Sequence, residues 1–350
     1  MGSHSEHDRL VQKVPGALAG ALGLSVADLK VRQAAPSGAD LVVDAGPTFV
    51  IEFKTSTSAA PIAAATKQAL AYANRVHRRA VPLVAVPFMG DLGRRICEEA
   101  GVSWIDLSGN AHVIAPGLRV IIEGKPNRFV APGRPANLFA PMSSRIVRWL
   151  LIHAGQSLSQ RALSRSTGLD EGFVSRLVAR LENDGYLVRD DDGAVRARDP
   201  ALLLAAWREA YQFSKHSLHQ GHVAARSGDA LLRFVADALA AQRIEHAATG
   251  LAAAWALTHF AGFRIATLYL PTDPSPALLE QLGCREDPRG ANLWLVVPND
   301  AGVFHGAVEM DGIRCVHPVQ VYVDLKSHPE RATEAAEHLR TKLLTWRHDG

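Results

Sequence analysis

Residues 143–188 read SSRIVRWLLIHAGQSLSQRALSRSTGLDEGFVSRLVARLENDGYLV, and the order of signals within them decides how the middle of the chain folds. Over 144–153, Ile146, Val147, Leu150 and Leu151 recur at helical spacing, which predicts a first helix with one apolar face. Ser159 opens a second, shorter helix with Leu163 inward, and STGLD at 166–170 makes a turn. Asp170 is placed to cap a third helix, because its carboxylate accepts the free N–H groups of a first turn. The third helix keeps Phe173, Val174, Leu177, Val178 and Leu181 on one face. It offers Glu171, Ser175, Arg176, Arg180 and Asn183 on others. Beyond Gly185, the run YLV, the turn DDDG and the run AVRAR predict two short strands joined by a tip.

Three short helices followed by a two-stranded hairpin make a winged helix-turn-helix, here over 142–199. An inward apolar face, an outward Ser/Arg face and a basic wing suit a helix that enters a major groove to reach base edges and phosphates. Ser175, Arg176 and Arg180 are expected to contact bases or phosphates, and Arg189, Arg196 and Arg198 the backbone. Double-stranded DNA is the expected partner, and a homodimer would match paired half-sites. Residues 143–198 hold nine Arg against seven Asp/Glu, and the acids gather at the wing tip and helix caps. Charge therefore favours DNA only mildly, and a purely protein-binding winged helix is the alternative.

The 350 residues suffice for two or three domains with real cores, and 47% apolar with 21% charged residues describes a globular chain. A formal charge of +3 permits nucleic acid without demanding it. Cys97, Cys284 and Cys315 are scattered and odd in number, which argues against a disulfide framework or a cysteine zinc site. No apolar run approaches the roughly 20 residues of a membrane span, and MGSHSEHDRL lacks a signal peptide's pattern. A cytoplasmic location, with no membrane partner, is the expectation.

Ahead of the winged helix, residues 1–130 alternate differently. A helix over 10–22 is followed by strands at 29–32, 40–43 and 48–54, a long helix at 59–79, a strand at 81–87 and a helix at 91–100. Strands at 103–107, 111–114 and 118–122 complete the domain. Strand periodicity puts Glu52 and Lys54 on the face of Val50, with Phe49, Ile51 and Phe53 opposite. Antiparallel pairing brings Asp40 beside Glu52, with Asp44 the alternative carboxylate. Two carboxylates together can hold Mg²⁺ through hard oxygen ligands, and a neighbouring ammonium can orient a water. Asp40 in GADLVV, Glu52 and Lys54 in VIEFKTS, and Gln68 in TKQALAYANR resemble the PD-(D/E)xK, restriction-endonuclease-like superfamily. That resemblance implies Asp40, Glu52, Lys54 and Gln68 as catalytic residues and Asp40 with Glu52 as metal ligands, if the site is intact. Otherwise the domain is a scaffold or DNA clamp. In GVSWIDLSGNAHV (101–113), Asp106, Ser108, Gly109 and Asn110 are read first as hairpin-turn formers, and second as residues facing the cleft of Glu52.

Residues 131–141 form a Pro-rich linker. Past the wing, Asp199-Pro200 opens a helix reaching about 214. His216, His219 and His222 stand three apart; a solvated loop or helix face is the reading preferred over a metal site. Further helices are expected at 231–242, 250–259, 276–282 and 330–345, and strands at 264–270, 291–297 and 319–323. Asp273, Asp300, Asp311 and Asp324 fall at or near strand ends. They lack the Gly-Ser turn and paired acids of a nucleotidyl-transfer site.

Three features together, GVSWIDLSGNAHV, the winged helix and the ending VHPVQVYVDLKSHPERATEAAEHLR, are similar to AbiEi-type proteins over most of 95–345. The resemblance implies an antitoxin of a type IV toxin–antitoxin system, with a winged helix that represses transcription and a nucleotidyltransferase toxin as partner. The expected fold class is thus α/β and α+β multidomain: an N-terminal restriction-endonuclease-like αβ core at 1–130, the central winged helix-turn-helix, and a C-terminal α/β domain at 200–350. The leading function is sequence-specific transcriptional regulation. The rivals are a Mg²⁺-dependent DNA endonuclease and a type IV antitoxin.

Overall fold

The computed structural model describes residues 2–33, 38–76, 79–129 and 137–346. The chain divides into two compact units, Met1–Pro135 with Asn183–Gly185, and Ala136–Glu182 with Tyr186–Gly350. No helix among the described residues is long and apolar enough to cross a membrane.

The first unit opens with α1 (Gly2–Val11) and α2 (Val14–Leu22), then β1 (Lys30–Gln33), β2 (Leu41–Asp44) and β3 (Thr48–Phe53). A crossover helix, α3 (Ala59–Val76), leads to β4 (Val81–Val86). There follow α4 (Asp91–Glu99), β5 (Ser103–Asp106), β6 (Ala111–Ala115) and β7 (Leu118–Ile122). The seven strands lie side by side in chain order. β1, β2 and β3 form an antiparallel meander, β4 and β5 run parallel to β3, and β6 and β7 return antiparallel. Alternation distributes the strands between two cores. Phe49, Ile51, Phe53, Leu83 and Ile105 pack with Leu10, Val14 and Leu18 of the first helices. Val84, Val86 and Trp104 pack with Ile62, Ala65 and Ala69 of α3 on the other face. The helix–meander–helix–strand order expected from sequence is present; the leading helix is two, broken before Val14.

The second unit begins with α5 (Pro141–Ile152), α6 (Gln160–Thr167), α7 (Glu171–Asn183) and the hairpin β8 (Leu187–Arg189) and β9 (Val195–Ala197). Ser159 Oγ accepts the Ala162 N–H at 3.1 Å, and Asp170 Oδ1 accepts the Phe173 N–H at 2.8 Å. Both predicted caps thus satisfy otherwise orphaned donors. Gly168 ends α6 at φ 68°, a left-handed conformation that glycine adopts without steric cost. Ile146, Val147, Leu150, Leu151, Leu163, Val174, Leu177, Val178 and Leu181 are all buried. Leu158 forms an isolated antiparallel bridge with Val195 beside the wing. Residues 131–136 of the expected linker lie outside the described residues. Its last residue, Pro141, is already helical, because proline suits the first turn, whose N–H groups need no helical partner.

Continuing from the wing, α8 (Pro200–Ala210) precedes β10 (Ser217–His222), α9 (Gly228–Ala241), β11 (Ala247–Thr249), α10 (Gly250–Thr258) and β12 (Ala266–Tyr269). Then come α11 (Pro276–Gln281), β13 (Arg285–Glu286), β14 (Leu293–Val297), β15 (Val308–Met310), β16 (Ile313–Cys315), α12 (Pro318–Asp324) and α13 (Ala332–Leu343). A seven-stranded mixed sheet runs β13-β10-β14-β12-β11-β16-β15.

Two expectations are overturned here. Residues 319–323 form part of a helix, not a strand. Pro318 starts it, His317 Nδ1 accepts the Val319 N–H at 3.2 Å, and every residue from Val319 to Asp324 is buried. With no exposed face, a VQVYV run carries no decisive period. The histidine segment is a strand, not a loop or helix face: β10 pairs with β14 from Ser217↔Val297 to Gly221↔Leu293. A Cβ on Gly221 would meet Cys284 Sγ at 2.3 Å and Arg285 O at 2.9 Å, so glycine there permits close strand approach. Since side chains alternate along a strand, imidazoles three apart face opposite ways. His219 instead meets Asp273 at 2.8 Å.

Leu181 is fully buried in the winged-helix core. Leu181→Ala is expected to cost about 2–5 kcal/mol in urea denaturation, whereas a loss below about 1 kcal/mol would contradict this packing.

Candidate nucleic-acid interface and buried polar network

The apolar face of α7 anchors it, which leaves Glu171, Gly172, Ser175, Arg176, Ala179, Arg180 and Asn183 exposed, with Phe173 and Glu182 half-buried. Ser175, Arg176 and Arg180 are therefore all exposed, and Arg176 and Arg180, four apart, lie on one face. On α6, Arg161 and Arg165 are exposed as well. Sequence reasoning passed over these two, although their i,i+4 spacing in a helix of only eight residues was visible.

The wing divides its arginines. Arg189 is exposed but engaged within the wing and α7: Nε and Nη2 donate to Glu182 at 2.9 and 2.5 Å, and Nη1 donates to Gly193 O at 2.8 Å. The Glu182 hydrogen bonds push its pKa up. Arg196 lies 3.7 Å from Asp190, and Arg198 is exposed. The tip, Asp190–Asp191–Asp192, is a carboxylate cluster that repels phosphate.

In the first unit, Asp40, Glu52 and Lys54 come together. Asp40 Oδ2 accepts the N–H of Phe53, the residue between the other two, at 2.8 Å. Lys54 Nζ lies 3.1 Å from Glu52 Oε2. Burial pushes the Glu52 carboxyl up, Lys54 opposes that, and Asp40 adds to it. Gln68 is exposed on α3 and stands apart from the buried residues that face the sheet. Asp44 bonds Thr48 at 2.7 Å and Arg32 at 2.9 Å, at the other end of β2. Among the described residues no group of three or more His, Cys, Asp or Glu is arranged to hold a metal. Glu52 is only 4% exposed and already paired, and Asp40 already accepts a backbone N–H. This donor set is a poor fit for Mg²⁺, which prefers open, hydrated octahedral sites. The turn after β5 is structural. Asp106 accepts from the N–H groups of Met89, Gly109 and Asn110 and from Asn110 Nδ2, and Asn110 in turn fastens Lys125.

The most elaborate polar arrangement lies in the second unit, and sequence reasoning missed it. Arg148 of α5 is 2% exposed and donates through Nε (3.0 Å) and Nη2 (2.8 Å) to Gln320 Oε1 on α12. Gln320 Nε2 donates to Asp324 Oδ1 at 2.8 Å. Asp324 also accepts from Thr249, from Tyr269 at 3.1 Å and from Tyr211. His216 Nδ1 accepts the Asn299 N–H at 3.1 Å, so Nε2 carries the proton toward Tyr211 (2.7 Å) and Tyr269 (3.2 Å). Nearby, Arg145 Nε donates to both Asp300 oxygens at 2.8 and 2.9 Å, and its Nη1 donates to Thr167 O at 3.1 Å. One guanidinium thus ties the loop before Ala301 to the turn ahead of α7. The sequence signals were faint: an arginine amid apolar neighbours, and Gln320 with Asp324 four apart in a run without a polar face.

Burial pushes Asp324 up to about 6 against the pull of its hydrogen bonds, and pushes His216 and His317 down to about 4. The Asp324 contribution to stability is whole below pH 3.8 and lost as pH rises through about 6. Those of His216 and His317 are whole above pH 6.5 and lost as pH falls through about 4. Two histidines outweigh one carboxyl, so urea stability is expected to rise from about pH 4 to about pH 6.5. The rise should be smaller in the His216→Gln/His317→Gln variant; identical profiles would contradict the assignment.

No curated protein and no solved structure matches the chain. Residues 139–197 match the model of the MarR family. Residues 196–345 match the model described as "Transcriptional regulator, AbiEi antitoxin, Type IV TA system". The second unit is therefore similar to a MarR-type winged helix followed by an AbiEi antitoxin domain.

Proposed function

We propose that the chain is a sequence-specific DNA-binding transcriptional regulator that reads duplex DNA with α7. The carrying observation is the exposure of Ser175, Arg176 and Arg180 on a helix whose apolar side is locked into a winged-helix core. The matches to MarR-family and AbiEi models support this reading. In it, Ser175, Arg176 and Arg180 contact bases or phosphates in the major groove, and Arg196 and Arg198 reach the backbone. Arg189, held by Glu182, contributes less than its position suggested. A homodimer would present two such helices to paired half-sites.

The AbiEi match favours a second reading within the same chain, in which the C-terminal domain acts as a type IV antitoxin against a nucleotidyltransferase toxin. The first unit serves as a scaffold or DNA clamp, since Gln68 stands apart and Glu52 is sealed against its lysine.

Replacing Arg176 and Arg180 together with Ala is expected to weaken duplex binding by about 1–3 kcal/mol for each base that either guanidinium pairs with, and to flatten the salt dependence. Unchanged affinity and slope would remove α7 from the interface. Incubated with plasmid and Mg²⁺ or Mn²⁺, wild type and Glu52→Ala should leave DNA equally intact. Nicking by wild type alone would make the chain a metal-dependent endonuclease.

A further inference from the structure

The seven-stranded sheet of the first unit ends at β7, and no strand among the described residues pairs with its outer side. A two-residue turn joins β6 to β7, which pair from Ala115↔Leu118 to Ala111↔Ile122. The backbone of Ile114 is committed to the β5 side. Its N–H donates to Ser103 Oγ at 3.0 Å, and its carbonyl accepts from that hydroxyl at 3.3 Å. Ile114 and Arg119 are therefore opposed without hydrogen bonds between them. Because antiparallel pairs alternate, the amides and carbonyls of Arg119 and Ile121 point away from β6, toward the open edge. The same period places Glu123, directly after β7, with them. Their side chains share a sheet face with His112 and Ile114, the partners of Ile121 and Arg119. On that face the apolar packing of α3 and α4 stops at Trp104 of β5, so Ile114 is 53% and Ile121 49% exposed.

A bare edge is a template for another strand, and charge decides which strand it accepts. The other edges of the two large sheets do not complement their own copies. β1 offers the basic Lys30 and Arg32, β15 offers Glu309 with Asp311 after it, and β13 is two residues long. β7 differs, because Arg119 and Glu123 are opposite in sign and stand symmetrically about Ile121. Both are exposed, and neither has an ion-pair partner among the described residues. A two-fold axis through Ile121 sets Arg119 opposite Glu123 of the partner subunit, twice over, and Ile121 opposite the partner's Ile121. The neighbouring registers lose this match. Centring on Arg119 or Glu123 opposes like charges, and centring on Val120 or Ile122 sets a charge against isoleucine.

We propose that β7 pairs antiparallel with β7 of a second copy of this chain, in register about Ile121, so that one sheet runs through two first units. Outward backbone groups on each strand form the ladder, and the two Arg–Glu pairs fix its register. The Arg119 stem lies across Ile114 and shields it from water. An interface of one strand per subunit belongs with the small, transient class, so the dimer is concentration-dependent. This pairing stands independently of the DNA-binding reading, and it gives the homodimer of that reading a definite surface.

Sedimentation of the full chain without DNA, from about 1 to about 200 μM, reads the association. The expected result is a shift from 37.7 kDa toward twice that mass. Arg119→Glu and Glu123→Arg should each weaken the association about fivefold or more, since each opposes like charges at two places. The double variant Arg119→Glu/Glu123→Arg should restore it. So should an equimolar mixture of the two single variants, in which every Glu meets an Arg. Ile121→Cys in a Cys284→Ser background should oxidise to a covalent dimer. Hydrogen-bonded partners across a ladder lie about 5.5 Å apart at Cα, within disulfide reach. Ile114→Cys, also exposed but off the axis, should stay unlinked. A wild type that remains monomeric throughout overturns the interface. So does a dimer that the single variants leave unchanged while Ile121→Cys stays unlinked, or a loss that neither the double variant nor the mixture reverses.

Discussion

A guanidinium almost fully withdrawn from water joins the two halves of the second unit. Arg148 belongs to the first helix of the winged helix, and its acceptor, Gln320, belongs to a helix 172 residues later. Burying that charge without a counter-ion is costly unless its donors are used, so α5 has little freedom to leave α12. Gln320 then hands the constraint to Asp324, where Tyr211, Tyr269 and Thr249 converge from α8, the mixed sheet and the start of α10. The winged helix is accordingly an integral part of its domain. Whatever α7 contacts is mechanically connected to the C-terminal sheet.

This attachment makes a modest charge balance compatible with the proposed DNA-reading role. Nine arginines face seven acids across 143–198, and several of those arginines are committed internally: Arg145 to Asp300, Arg148 to Gln320, Arg189 to Glu182. The cations left for DNA are few, and the wing tip is acidic. In the proposed DNA-reading role, such a surface would contribute little non-specific attraction and would rely on base contacts from a rigidly held helix. Fixing the helix before encounter lowers the ordering cost of binding, which compensates for weak electrostatics.

Much of the architecture was legible because it rests on local signals. The caps at Ser159 and Asp170, the left-handed Gly168 and the period of α7 each carry their own physics, as do the alternating strands around Phe49 and Phe53. What failed were segments without a face. The VQVYV run is buried all round, so no period marks it as helix or strand, and Pro318 was the better guide. The two- and three-residue strands β11, β13, β15 and β16 are too short to show alternation. In the candidate sites, residues exposed on one helix could be read by counting, but Arg148, Gln320, Asp324 and His216 meet only after long-range folding. The closeness of Asp40, Glu52 and Lys54 was legible because cross-strand pairing is predictable over a short hairpin. Gln68 is exposed on α3, and a helix position alone does not tell which way a side chain faces.

The central claim is that α7 reads the duplex while its domain holds it in place. Hydrogen exchange of the full chain with and without its bound duplex tests this most directly. The account predicts slowed exchange in 159–183 and in the strands of the wing, with little change elsewhere in the second unit. Protection confined to residues 1–129, with none in 159–198, would contradict it and move the DNA contact to the first unit.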